Sequence, residues 1–207
     1  GKGRAPLDHR SLAVFSGLYR IEAGAWFDLL KPWLRSVLRP NVVGALQGLE
    51  AYDIAWDAQT FIERAIQTGS KGALVSYDYE KYFDSFDYRW TRDMLLHTGF
   101  PAPLAQLTYH LYTNMQRVMK KGMTLSEPFQ AFNGFGQGDV LSLFPALLLV
   151  SCQFKVIDNT HPLVQKGAYV DDRNYRGSLK DLLEVGDIVH QFDTLAMHKH
   201  LMPRPSF

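Results

Sequence analysis

The sequence predicts an α+β fold, with helices packed on one face of an antiparallel sheet. Three observations carry that expectation. Apolar residues recur at helical spacing over two long segments, 16–38 and 51–67, and over 179–195. Ala73-Leu74-Val75-Ser76-Tyr77 is a short apolar run bounded by turn residues, as a buried strand requires. Two further segments, around Lys120-Lys121-Gly122 and around Val170-Asp171, read as hairpins.

The first helix, 16–38, carries Leu18, Ile21, Ala25, Trp26, Leu29, Leu30, Trp33, Leu34 and Val37 on a 3.6-residue rhythm that Pro32 interrupts. The second, 51–67, buries Ile54, Ala55, Ala58, Phe61, Ile62, Ala65 and Ile66 and stops at Gly69. Gly69-Ser70-Lys71-Gly72 breaks the chain before the strand, which runs to Asp78. A helix over 87–97 ends at Gly99-Phe100-Pro101, and Pro103 opens another with Leu104, Leu107, Thr108 and Leu111 on one face. Residues 116–119 and 128–132 flank the basic hairpin tip. The glycine-rich loop 134–138 opens a helix through Leu149. Gly167-Ala168-Tyr169-Val170 reads as a β-segment, and Arg173-Asn174-Tyr175-Arg176-Gly177 as a turn and return strand.

With 207 residues, 46% hydrophobic, 21% charged and 13% aromatic, the chain is globular and ordered throughout. A net charge of +1 neither demands nor excludes nucleic acid, because phosphate binding depends on a local basic face. The single Cys152 forms no internal disulfide, which suits an intracellular, reducing compartment and a buried structural thiol. The longest apolar stretch, 141–152, is interrupted by Ser142, Pro145 and Ser151 and falls short of the ~20 residues a membrane span needs, so no membrane association is expected. The opening Gly1-Lys2-Gly3 has neither an initiator Met nor a signal pattern and reads as the start of an excised piece.

The candidate chemistry lies in three clusters. Tyr169-Val170-Asp171-Asp172 sets two like charges side by side after an apolar strand, an arrangement that a divalent cation makes tolerable and that a solvated Asp-Asp turn also explains. Asp78, at the end of the buried strand, is a second carboxylate on a rigid element; with Asp171 and the backbone carbonyl of Tyr79 it forms an oxygen-rich set of the kind Mg²⁺ takes. An acid there also suits a turn or a helix cap, which is the better reading of Asp84. Gly134-Phe135-Gly136-Gln137-Gly138-Asp139-Val140-Leu141-Ser142 can bring backbone close to a nucleotide or template strand, although glycine-rich helix entries are often only tight turns.

In order and spacing the three clusters resemble the reverse transcriptases, the polymerases of retrotransposons, retroviruses and mobile introns. Asp78 through Asp84 is similar to the family's D-x-x-x-x-F-D motif, Gln137-Gly138 with Ser142 to its Q-G-x-x-x-S motif, and Tyr169-Val170-Asp171-Asp172 is an unaltered Y-x-D-D box. Residues 10–21 resemble, without a gap, the R-P-I-S-L-L-S-x-x-Y-K-I segment of non-long-terminal-repeat elements. Three departures stand out: Ser11 and Leu143 replace prolines, and Arg173 follows the aspartates directly, where it either clamps phosphate or weakens metal binding.

The resemblance implies a single domain over 1–207, with a mostly helical fingers portion at 1–70, a C-terminally truncated palm at 71–207 and no thumb. It implies an RNA-directed DNA polymerase that uses two Mg²⁺ ions, or Mn²⁺, with an RNA template, a DNA primer and dNTPs as partners. Asp78, Asp171 and Asp172 are the implied catalytic residues and, with the Tyr79 carbonyl, the metal ligands. Arg10, Phe83, Gln137 and Gly138 are the implied nucleotide contacts, Phe83 standing where the family sets a bulky ring against the sugar C2′. Tyr169, Val170, Arg117, Lys120 and Lys121 are assigned to primer and template. The alternative is a decayed domain of the same ancestry that binds nucleic acid without polymerising.

Overall fold

The structure is a computed structural model and describes residues 12–44, 46, 48, 50–196, 198 and 200–205. Helix α1 (Gly17–Val37) starts where the Ser16 hydroxyl accepts the Tyr19 N–H, and it carries Pro32 in its interior. A two-residue strand β1 (Val42–Val43) leads to α2 (Ala51–Thr68), which opens with a reciprocal capping box between Glu50 and Asp53 and closes on a left-handed Gly69. Strand β2 (Gly72–Tyr79) runs into a 3-10 turn, Tyr82–Ser85. Asp87 then caps α3 (Tyr88–His97) by accepting the Trp90 N–H at 2.8 Å, and α4 (Ala102–Asn114) follows Pro101.

A long hairpin comprises β3 (Gln116–Arg117), β4 (Lys120–Lys121), β5 (Thr124–Leu125) and β6 (Phe129–Gln130). After a 3-10 turn at Val140–Ser142 come α5 (Leu143–Thr160), β7 (Gln165–Tyr169), β8 (Asp172–Ser178), α6 (Leu179–Leu195) and β9 (His200–Pro205). The main sheet has the order β1-β7-β8-β2-β9, and its pairings are antiparallel except β1 with β7. The α+β expectation therefore holds.

Helices α5 and α6 back the face of the sheet that carries Tyr77, Tyr79 and Tyr175. Residues 144–151 of α5 are all buried, and Phe144 sits in an aromatic cluster with Phe27, Phe100 and Trp33 at centroid separations of 5.1–6.4 Å. Pairs of this kind add about 0.5–1.5 kcal/mol each to the burial of their area, so this cluster ties α1 to the centre of the fold.

Several expectations are corrected, the buried stripe of α2 among them: Ile54 is buried, but Ala55, Ile62 and Ile66 are exposed. Helix α5 does not end at Leu149 but runs to Thr160, because Val150, Phe154 and Ile157 continue its buried side. Its run from Val140 to Thr160 is long and apolar enough to cross a membrane by length and composition, and 72% of an 18-residue apolar window within it is buried inside this chain. Pro145 lies in the first turn of α5, where its missing N–H leaves no hydrogen bond unmade. Helices do not keep to one face: α2 crosses the opposite face, with Phe61 over Gly72 and Ile54 over Gly167.

Candidate active site

The Tyr169-Val170-Asp171-Asp172 segment is a tight hairpin in which Tyr169 pairs with Asp172 across a two-residue turn, Val170-Asp171. The turn places Val170 at φ 56°, a left-handed conformation that a β-branched residue adopts only under constraint. The constraint is visible. The Val170 N–H donates to the Val43 carbonyl at 3.0 Å, one step beyond the β1–β7 ladder. Its side chain fills the space over Gly44, where a Cβ would stand 2.6 Å from Val170 Cγ2; Gly44 itself has φ 133°. Val43 and Gly44 thus clamp the turn.

Strand β8 pairs with β2 in a register that ends at Tyr77 opposite Arg173. Carried one residue further, that register sets Asp78 opposite Asp172, and facing residues of an antiparallel pair share a face with Cβ atoms roughly 4.5–5.5 Å apart. Both side chains are exposed, and Asp171 is half-buried in the adjoining turn. The other edge of β2 pairs with β9 through a register shift between Ser76 and Asp78, a local irregularity beside the candidate site. Among the described residues no three His, Cys, Asp or Glu side chains are gathered into a metal-binding group. The carboxylates are therefore brought to one end of one face without forming a closed cage.

Strand alternation settles where Arg173 goes. It points away from Asp172 into the core, where it is 1% exposed. Its Nη1 donates to the Tyr79 hydroxyl at 2.8 Å, to Gln153 Oε1 at 2.9 Å and to Asp193 Oδ1 at 3.4 Å, and its Nη2 to the Tyr82 hydroxyl at 3.1 Å. The guanidinium carbon lies 4.1 Å above the Tyr79 ring. Burial alone would depress the Arg173 pKa, but the facing Tyr82, Tyr79, Tyr175 and Asp193 outweigh it and hold it above the usual arginine value. Arg173 is accordingly turned away from the exposed face on which Asp78 and Asp172 stand, with its guanidinium engaged by core partners. It holds together β2, β8, α5 and α6 directly behind the aspartates.

The glycine-rich loop meets its own chain. Ala13 donates its N–H to the Gln137 carbonyl at 2.9 Å, and a Cβ on Gly136 would strike Ala13 Cβ at 2.6 Å and the Phe15 ring at 2.9 Å. The close approach expected there for a nucleotide is thus occupied by residues 13–15, with Gln137 half-buried and Gly138 at φ 109°. Phe83, half-buried in the turn after β2, accepts the Phe135 N–H on its carbonyl at 2.8 Å, which straps that turn to the loop. Asp139 is 4% exposed and accepts the Tyr19 hydroxyl at 2.8 Å as well as the Tyr112 hydroxyl, locking α1 and α4 onto the loop.

Of the hairpin cations, Lys120 and Lys121 are exposed on β4 as expected. Arg117 is turned inward: its Nη2 donates to the Gly134 carbonyl at 2.7 Å and the Tyr88 hydroxyl at 2.9 Å. Arg10 and Ser11 lie outside the described residues. Sequence reasoning missed the clamp at Val43 and Gly44 and the Arg173 network. A signal for the second existed, since Gln153 and Asp193 are polar residues at buried positions of α5 and α6.

No protein-family model and no curated protein matches this sequence. Solved structures do. Telomerase from Candida albicans, in complex with a TWJ fragment of telomeric RNA, superposes with a TM-score of 0.63 at 10% identity, over 89% of this chain and 35% of that one. Telomerase from Candida tropicalis, in the corresponding complex, gives 0.62 at 12% identity over 89% and 33%. The chain has a reverse-transcriptase-like fold. It spans about a third of the length of these telomerases, and apo Candida tropicalis telomerase truncated from its C-terminal domain gives 0.59 at 13% identity over 90% and 41%. At such identities the likeness concerns the fold and not the class of element from which the chain comes.

Proposed function

We propose that this chain is the core of an RNA-directed DNA polymerase of a retrotransposon-type element, with fingers before about residue 70 and palm after it. The observation that carries the reading is the register that sets Asp78 opposite Asp172, with Asp171 in a turn clamped by Val43 and Gly44. All the donors are oxygens, and Mg²⁺ is commonly held by one or two carboxylates with substrate phosphates completing its shell, so an open carboxylate set fits the ion. Asp78 and Asp171 would hold it, with Asp172 and the Tyr79 carbonyl as further oxygens. Bound there, Mg²⁺ supplies charge neutralisation at the attacking and leaving oxygens of phosphoryl transfer.

The remaining roles belong to this chain's own groups. Tyr169, 38% exposed, and Val170 form the floor on which a primer end rests. Phe83, half-buried beside Asp84, is assigned the exclusion of a 2′-hydroxyl, which would select dNTPs. Lys120 and Lys121 on the exposed hairpin add sequence-independent attraction to a phosphate backbone. The telomerase neighbours bound to RNA support a nucleic-acid-binding role for the same fold. A second reading, a decayed domain that binds nucleic acid without polymerising, is favoured by Leu143, which stands where the resemblance expects a proline.

The test is extension of a primed RNA template with dNTPs or with NTPs, with binding of the same primer–template measured alongside. Extension with dNTPs that Asp171→Asn abolishes, binding being retained, is the expected result. Extension with NTPs alone overturns the DNA-polymerase reading, and tight binding without extension favours the decayed domain.

A further inference from the structure

A cavity of about 450 Å³ lies between α2 and the far end of the β7–β8 pair, with Asp57, Phe61 and Arg64 of α2 on one side and Val164, Lys166 and Arg176 on the other. Its volume is that of a small-ligand pocket. It opens on the same sheet face as Asp78 and Asp172, since Asp172 and Arg176 are an even number of residues apart on β8. Four residues of strand place it roughly 13 Å from Asp172, so it is separate from the candidate active site.

Arg176 is 2% exposed, and its Nε and Nη1 are buried with no hydrogen-bond partner among the described residues. Unmade donors on a buried cation are expensive and ask for an acceptor. The nearby carboxylates do not serve. Asp158 is already shared by Lys166 and by Arg39, whose Nε lies 3.4 Å away. Asp57 faces the cavity and raises the Arg176 pKa through space, against the larger depression caused by burial, but no ion pair joins the two. Arg64 is exposed on α2 and brings a second guanidinium to the rim. Phe61 and Val164 supply an apolar wall beside the buried Arg176.

We infer that this cavity is an oxyanion site that takes a terminal phosphate, with Arg176 as its floor and Arg64 as its gate. A planar guanidinium presents paired N–H donors that match two phosphate oxygens, whereas a chloride ion offers a single acceptor centre with no second oxygen for the fork. Arg176 lies at the buried side of the cavity and suits a phosphate monoester, in which three oxygens are free, better than a phosphodiester tethered on both sides. The monoester has two sources: a free phosphate or mononucleotide, or the phosphorylated 5′ end of a nucleic-acid strand.

The chain is titrated with inorganic phosphate at constant chloride, and heat or amide chemical shifts are followed. Saturable binding is expected, weakened at least tenfold by Arg176→Gln and several-fold by Arg64→Gln, and tightened by Asp57→Asn, which removes the competing carboxylate. Asp57 and Arg64 are exposed helix positions, so their opposite effects survive even if Arg176→Gln fails to fold. Competition by a 5′-phosphorylated oligonucleotide but not by its 5′-hydroxyl counterpart assigns the site to strand ends. Competition by a nucleoside monophosphate alone assigns it to free ligands. No saturation up to about 10 mM phosphate, or equal affinity in wild type, Arg64→Gln and Asp57→Asn, overturns the inference.

Discussion

Replacing Arg173 by Met tests whether the cation behind the aspartates is structural. The substitution keeps much of the volume and apolar stem but removes the hydrogen bonds donated to Tyr79, Gln153, Asp193 and Tyr82. Asp193, 1% exposed, would keep the Tyr79 hydroxyl at 2.8 Å and Gln153 Nε2 at 3.2 Å but lose its cation. Breaking a buried pair from one side costs about 3–5 kcal/mol, because the surviving charge is left without compensation. The 3.4 Å separation of Arg173 Nη1 and Asp193 Oδ1 is long for a charge-assisted bond, which places the expectation near 3 kcal/mol, the lower end of that range. Urea unfolding of the wild type, Arg173→Met, Asp193→Asn and the double variant measures the loss and the coupling. The double variant should recover about 1.5 kcal/mol or more relative to additivity. A cost under about 1 kcal/mol for Arg173→Met, or strict additivity, would refute the buried network as its role. Weakened primer–template binding at unchanged stability would return Arg173 to the phosphate-clamp reading.

Gly44→Ala should destabilise the turn by about 1–3 kcal/mol, since the new Cβ meets Val170 Cγ2 at 2.6 Å and the backbone has φ 133°; hydrogen exchange at the Val170 amide should rise. His198 is buried on Tyr82, and burial, aided by Arg173, pushes its pKa down to about 3. The unfolded chain takes up this proton below the ordinary histidine value of 6.5 while the folded one does not, so stability falls as pH drops from about 6.5 towards about 3, by at most ~1.4 kcal/mol per unit. His198→Gln should flatten that slope in acid unfolding curves. Lys120→Glu with Lys121→Glu should weaken nucleic-acid binding at all sequences and lower the salt slope by about one for each phosphate no longer neutralised, which a salt titration reads directly. Phe83→Val should admit ribonucleotides in the extension assay while leaving dNTP use in place.

The legible parts of the fold were those written in local pattern. Helix α6 coincides with its apolar rhythm because Ser178 caps it and Leu182, Val185 and Val189 recur on one side. Strand β2 and the β7–β8 turn were found because short apolar runs met abrupt polar residues. Strands β1 and β9 were not, since Val42–Val43 is too short to have a period and earns its pairing only from β7. The site divided in the same way. The positions of Asp78, Asp171 and Asp172 followed from motif and strand end, whereas the fates of Arg173 and Arg117 depended on partners such as Asp193 and Gly134 that no local pattern brings near. The glycine loop misled for a related reason: its bare backbone indicates that something approaches closely, not what approaches.

The clamp on Val170 has a consequence for how the protein folds. The carbonyl that fixes the turn belongs to Val43, far earlier in the chain, so the hairpin can close locally within microseconds yet cannot hold its strained dihedral until that distant segment docks. Contacts of such sequence separation carry the largest loop-closure cost and tend to form late. The geometry of the turn is thereby coupled to completion of the fold, and a partly folded chain would present its aspartates on a slack turn.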